Sequence, residues 1–416
     1  MYRTVRPLFF SNFQKIGQNN KENAKKTMKR ILFVTTRNIV TTCGELRLIK
    51  NRAESLCLEY GYATDYLALV TKKDKSKCES MEFESTLTYF EYDKKNPATY
   101  ITAQKKFVSE LRKKLNSKNY EFVVVSGSLA FKYIKEIKKY ANNTKVFADI
   151  HGAAEELIEF GGKNFVKRAE SIVFYKIFKY YEKKFLPLFD DYFVVSDGLK
   201  KYLFDEYGVN KNVHIVPCAV KSTEYEIEEL KKFRKAAREK YGIKDNEILF
   251  IYSGGVSPWQ CIEQTVDVFK KIKLYDIENR CKLLILSGNF QYIQKFKDEC
   301  ILVDSLPAEL IPVTLPCADF AFMLRENYVT NNVAYPNKFL EYVSSGIKII
   351  ATPFVYDTAE QIKEYNLGYV LKDVCFETEI LDYCFNNKSQ FTDDLDNRKK
   401  LLNDVSFNNR LSFLNN

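Results

Sequence analysis

Short apolar runs alternate along this chain with longer segments whose apolar positions fall at helical spacing. The first run is Ile31-Leu32-Phe33-Val34; Cys43-Gly44 then breaks the pattern, and residues 46–60 place Leu48, Ala53, Leu56 and Cys57 on one helix face. A second run covers 63–70, a helix is predicted over 98–116, and Phe122 to Val125 forms a buried strand closing on Ser126-Gly127-Ser128. A helix over 131–140 and a strand over 145–150 follow, then a long basic helix over 163–185, and last the strands 192–195 and 213–216. Such unbroken apolar runs between helices are the mark of a parallel sheet covered on both faces.

A charged helical stretch at 222–241 joins this half to a second one, where the alternation restarts at Ile248-Leu249-Phe250-Ile251-Tyr252. Further strands are predicted at 282–286, 301–303, 320–323, 347–351 and 369–371. Two half-chains of the same βα kind predict an α/β fold of two Rossmann-like domains facing across a cleft. The expected boundaries are a basic disordered extension at 1–27, domains at 28–220 and 221–395, and a helical segment at 396–416 packing back on the first domain. A length of 416 residues suits two cores better than one.

Composition alters this picture in two places. Of the net charge of +10, most sits in residues 1–30, which hold eight Lys or Arg and one acid, so the surplus belongs to a tail and does not mark a nucleic-acid surface. That tail has no continuous apolar core and no small-residue cleavage site, so it does not read as a signal peptide. Met28, directly before Lys29-Arg30 and the first strand, is a second place where the chain could begin. The ten cysteines are scattered with no C-x-x-C pair, which reads as reduced thiols in a cytoplasmic protein without a zinc site. No apolar run is long enough to span a bilayer.

In open parallel sheets ligands bind beyond the carboxyl ends of the strands, so the residues just after each strand carry the candidate chemistry. After the first strand there is one glycine, Gly44, where a dinucleotide loop would have three, and a plain turn explains it equally. After 145–150 come His151 and Gly152; a lone histidine is more often structural, but its place at a strand end before a glycine points to a site. After 248–252, Ser253-Gly254-Gly255 could bring backbone N–H groups to a phosphate. After 320–323 come Arg325 and then Pro336-Asn337-Lys338-Phe339-Leu340-Glu341-Tyr342. Lys338 and Glu341 are three apart on a predicted helix, a cation for a diphosphate and a carboxylate for ribose hydroxyls, or else an ordinary surface pair.

The stretch 318–353, ADFAFMLRENYVTNNVAYPNKFLEYVSSGIKIIATP, resembles the donor-site signature of family 4 (group 1) retaining glycosyltransferases. Ala318-Asp319, Pro336, Lys338, Glu341-Tyr342 and Gly346 carry the match, and 149–152, 189–203 and 215–220 agree in order and spacing. The resemblance implies the GT-B fold, a hexosyltransferase reaction, a nucleotide-sugar donor on the C-terminal half with UDP favoured, and an acceptor on the N-terminal half beside Gly44 and Gly152. It implies catalytic roles for His151, Lys338 and Arg325, donor binding by Gly254, Gly255, Pro336, Asn337, Glu341 and Tyr342, and no metal or other cofactor. The Asp190-Asp191 pair is then a lead-in to a strand.

Three departures stand against these matches. Val333 occupies the place of a first glutamate, Ser257-Pro258-Trp259-Gln260 replaces cations near the diphosphate, and Cys218-Ala219 replaces Asn-Gly at the hinge. They leave open a catalytically silent glycosyltransferase-like subunit, or a sugar-nucleotide epimerase. The resemblance places the protein in surface polysaccharide or glycoconjugate assembly, with a glycan or lipid-linked acceptor. Residues 163–184 carry seven Lys or Arg against Glu170 and Glu182, interleaved with aromatics. With Val166, Ala169, Val173, Ile177 and Tyr180 as an inward stripe, this helix reads either as a solvated cover over the core or as peripheral contact with the anionic inner face of a membrane.

Overall fold

The computed structural model describes residues 29–36, 52–53, 55–57, 60–72, 86–93, 95–141, 143–162, 164–217, 225–386 and 394–415. The 1–27 extension, Gly44 and the hinge pair Cys218-Ala219 lie outside them. A parallel sheet in the first half has the order β3-β2-β1-β4-β5-β6-β7: β1 (Arg30–Thr35), β2 (Ala63–Thr71), β3 (Thr86–Tyr92), β4 (Phe122–Ser126), β5 (Lys145–Ile150), β6 (Asp191–Val194) and β7 (Val213–Ile215). A parallel sheet in the second half has the order β10-β9-β8-β11-β12-β13: β8 (Ile248–Ser253), β9 (Cys281–Leu286), β10 (Ile301–Asp304), β11 (Phe320–Met323), β12 (Lys348–Ala351) and β13 (Gly368–Val370). In each sheet the order turns back at its middle, beside β1 and β4 and beside β8 and β11, which opens a crevice at their carboxyl ends.

The strand missed by the periodicity, β3, has a physical reason. It is a sheet edge paired only with β2, its residues from Leu87 to Phe90 are half-buried, and it therefore lacks the unbroken apolar run of the central strands. The central strands show the opposite case. Along β8 the side chains of Leu249 and Ile251 enter the large core that continues into the first half, while Ile248, Phe250 and Tyr252 enter a second core on the other face.

An aspartate immediately before or at the start of a strand pins the neighbouring one in both halves. Asp190 accepts from the backbone N–H of Val146 at 2.9 Å, and Asp319 accepts from that of Leu249 at 2.8 Å. Asp190 is thus engaged just before β6, where it also accepts from Lys138 at 2.7 Å.

Helix α1 (Phe165–Phe185) starts at Asn164, whose side chain accepts from Lys167 N–H. The stripe expected to face inward is present but points out: Val166 is 65% exposed, and Val173 and Tyr180 are each 55% exposed. The buried positions are Glu182 and Phe185, roughly on the opposite face, so the correction is one of direction. The first turns of α1 project beyond the body, and Phe165 is 89% exposed. No described helix is long and apolar enough to cross a membrane.

The two halves are joined by polar contacts around the crevice. Ser196 caps α2 (Asp197–Tyr207) and also donates to Val333 O at 2.6 Å, while Asp357 accepts from the N–H groups of Asp197 and Gly198 at 2.6 and 3.1 Å. A Cβ on Gly198 would stand 2.3 Å from Asn332 O, so only glycine permits this approach. Glu159 of the first half accepts from the N–H groups of Val329 and Thr330 in the second. The chain's end returns to the first half, where Phe413 stacks on His214 at 3.7 Å between ring centres.

Candidate active site

One wall of the crevice is built where β8 ends. Gly254 has φ +151°, which side chains rarely adopt, and a Cβ there would fall 2.7 Å from Lys338 Nζ, so a side chain would strain the backbone and displace the ammonium. Lys338 stands in the first turn of α3 (Asn337–Ser344), buried, with Nζ 4.5 Å from the centre of the Tyr252 ring. Arg325 follows β11 and is also buried. Its guanidinium donates to Leu324 O at 2.7 Å and to Gln260 O at 3.3 Å, and its N–H is fixed by Thr352 Oγ1 at 2.9 Å.

Both cations converge on one neutral atom. Gln260 Oε1 accepts from Lys338 Nζ at 2.7 Å and from Arg325 Nη2 at 2.9 Å. Burial pulls the Lys338 ammonium well below its ordinary pKa and Arg325 pulls it further, with Glu341 opposing; burial lowers Arg325 as well. Two desolvated cations sharing an amide oxygen form a site whose electrostatic need is an anion.

The facing wall comes from the end of β5. Asp149 is fully buried and accepts from Ser126 Oγ at 3.1 Å and from Arg52, which also donates to Val216 O. His151 Nε2 lies 2.8 Å from Asp149 Oδ2. His151, Gly152 and Glu156 of the first half and Gly254, Gln260, Arg325, Lys338 and Glu341 of the second line one cavity of about 400 Å³. A second cavity of about 270 Å³ shares His151, Gly152 and Glu156 and runs deeper into the first half, to Ser128 and Glu182. Glu182 accepts from Ser128 at 2.6 Å and Tyr207 at 2.5 Å, and burial raises its pKa. Above the junction Phe160 packs on Trp259 and Tyr328, with ring centres 5.3 and 5.0 Å away. A groove of about 750 Å³ opens at the amino ends of β5 and β6, opposite the end where open α/β sheets bind their ligands.

Of the residues picked from sequence, His151, Gly152, Gly254, Arg325, Pro336, Asn337, Lys338 and Glu341 share this cavity. Tyr342 does not face it: the ring is fully buried and its hydroxyl bonds the Ser253 N–H at 2.9 Å, so it braces the end of β8. Gly255 sits outside the lining, exposed at the mouth, where its carbonyl accepts from Tyr252. Gln260 was singled out only as a lost cation; it is the residue both remaining cations hold. Asp149 belongs to the matched stretch 149–152 without a role of its own there, and nothing in the sequence points to Arg52 as its partner.

No protein-family model matches the sequence, and no curated protein does. Solved structures do match. A glycosyltransferase from Rickettsia africae superposes with TM-score 0.66 at 15% identity, over 94% of this chain and 97% of its own. Sucrose-phosphate synthase from Thermosynechococcus elongatus gives 0.66 at 12%, over 93% and 98%. HepE from Anabaena, in complex with UDP, gives 0.64 at 11%, over 93% and 99%. The chain has the GT-B fold. At these identities the likeness speaks for the GT-B architecture alone; what the cleft does is argued from its residues.

Proposed function

We propose that the chain is a cytoplasmic GT-B glycosyltransferase, of the family 4 retaining kind, that moves a hexosyl group from a nucleoside-diphosphate sugar to an acceptor held on the N-terminal half. The observation that carries this is the convergence of buried Lys338 and Arg325 at the end of β8, with Glu341 one turn away and His151 across the cavity. Bond breaking at the anomeric carbon leaves negative charge on the diphosphate, which these cations stabilise. Glu341 accepts from the ribose hydroxyls, and His151 meets the sugar and acceptor, with the Asp149 carboxylate close beside its ring. The fold match to HepE, solved with UDP, favours a UDP-sugar. No divalent ion takes part, so activity persists in EDTA. The acceptor is a glycan or a lipid-linked one, held beside His151 and Gly152 of the first half, and surface polysaccharide or glycoconjugate assembly is the setting.

A screen of UDP-, GDP- and dTDP-sugars for binding and for slow donor hydrolysis tests this, with the product's anomeric configuration read by NMR. Binding without any turnover favours the silent-subunit reading, and neither binding nor turnover sinks the proposal. His151→Ala is expected to leave donor binding near wild type and to cut transfer at least about tenfold, the low end for a positioned catalytic group. Full transfer activity in that variant would return His151 to a structural role.

The outward stripe of α1 favours a further element of this reading, work at an anionic membrane surface. Phe165, Val166, Ile172, Val173 and Tyr180 are exposed on that helix together with Lys176, Lys183 and Lys184, while the inner face of α1 supplies Phe178 and Glu182 to the deeper cavity. A second copy of the same face would set lysine against lysine, whereas anionic headgroups complement it. Vesicles containing anionic lipid are expected to retain the full chain at low salt and release it at high salt. The double change Val166→Glu and Val173→Glu should abolish most of the retention. Failure of anionic vesicles to retain the wild type at low salt would remove the membrane and point to a freely diffusing acceptor.

A further inference from the structure

We infer that the Gln260 side chain occupies the seat of a donor phosphate oxygen, as an internal surrogate that the donor must displace, and that Gln260 thereby sets donor affinity. The inference rests on the transferase reading for the identity of the donor, though not for the existence of the seat. Its Oε1 atom stands between Lys338 Nζ and Arg325 Nη2, at 2.7 and 2.9 Å, over the bare Cα of Gly254. Here both cations reach the same atom, and the place lies at the carboxyl end of β8, where the chain direction and the glycine permit a phosphate to come close.

An amide dipole is a weak partner for two buried charges. It satisfies their hydrogen bonds without neutralising them, so a phosphate oxygen arriving there gains charge-assisted bonds that the amide cannot match. With nothing in the seat, the two cations would be left to repel each other out of water. Gln260 therefore lowers the cost of the empty state and competes with the ligand in the same place.

The local backbone allows the side chain to leave. Gln260 ends a single 3₁₀ turn, Pro258–Gln260, tied by Gln260 N–H to Ser257 O at 2.8 Å and by Cys261 N–H to Pro258 O at 3.3 Å. Cys261 follows with φ +51°, a left-handed conformation uncommon outside glycine and asparagine. The amide is on a long unbranched side chain, so rotation about its own χ angles clears the seat while Trp259 stays packed on Phe160.

Calorimetric titration of the full chain with UDP and, separately, with inorganic pyrophosphate tests this in the wild type, Gln260→Ala and Gln260→Glu. Removing the competitor should tighten both ligands by about threefold or more. A fixed carboxylate should weaken both by about tenfold or more, since it neutralises the cations and repels the ligand. Gln260→Ser, with thermal melts of each variant, stands in if the alanine protein unfolds. Weaker binding by Gln260→Ala or Gln260→Ser than by the wild type would make Gln260 a ligand contact and overturn the inference; unchanged affinity in Gln260→Glu would overturn it too. Transfer from a UDP-sugar with no effect of Gln260 substitution defeats the inference alone. The expected order with pyrophosphate but no UDP binding defeats the transferase reading alone. No binding of either ligand by any variant defeats both.

Discussion

Lys338→Ala is expected to lower kcat for glycosyl transfer by about two to three orders of magnitude with a modest change in donor KM, while Glu341→Ala is expected to raise the donor KM with kcat nearly kept. The difference follows from when each group meets charge. Glu341 stands one turn beyond Lys338 on α3 and would hold neutral hydroxyls in ground state and transition state alike, so its loss appears as binding. Lys338 would face an oxygen whose charge grows as the glycosidic bond breaks, in a site that excludes water, and loss of one such donor elsewhere costs about 2.7–4 kcal/mol. Burial and Arg325 already hold the Lys338 pKa well below its ordinary value in the empty cleft. Donor binding supplies the missing anion and raises it, so binding takes up a proton wherever the pH lies above the free-site pKa. Donor affinity should then be flat below the free-site pKa and fall as pH rises through it. Arg325 is within the same cluster and remains in the Lys338→Ala protein, so residual activity is expected above the uncatalysed level. Wild-type kinetics in both variants would end the assignment.

What could be read from the sequence follows the strength of the local signals. Central strands such as β4 and β8 are unbroken apolar runs because helices cover both faces, and the end of β8 fixes where Gly254 stands; the edge strand β3, half-buried from Leu87 to Phe90, lacks such a run. Lys338 and Glu341 were legible because a helical spacing of three places both on one side, whereas Tyr342, the next residue, is turned by the same geometry into the core against Ser253. The direction of the α1 stripe could not be read. A periodic apolar face looks the same whether it meets a core or is left exposed, and here the core takes the opposite face through Glu182, whose carboxylate is buried against Ser128 and Tyr207. Gln260 was illegible for a related reason. A neutral residue in place of a cation reads as a loss, and only the geometry shows two cations from other elements, on α3 and beyond β11, gathered around it.

Asp319→Ala is expected to destabilise the protein by about 3–5 kcal/mol, the range for removing one partner of a buried ion pair. Asp319 is fully buried; its carboxylate accepts from Arg234 at 2.6 Å, from the Leu249 N–H at 2.8 Å and from Arg238 at 3.5 Å. Alanine removes the acceptor of the Leu249 N–H near the start of β8 and leaves the Arg238 guanidinium, itself 5% exposed, with carbonyl partners only. Asp190 is the informative contrast: it pins Val146 in the same way, but its side chain is 36% exposed, so water can replace what its loss removes and Asp190→Ala should cost much less. The clamp lies at the amino ends of β8 and β11, and four to six residues of strand, roughly 13–20 Å, separate it from Gly254 and Arg325. Molecules of Asp319→Ala that remain folded should therefore keep the wild-type kcat while the urea midpoint falls. An unchanged midpoint would show that the arginines find other partners, and a collapse of kcat in folded protein would make Asp319 part of the site and not of its frame.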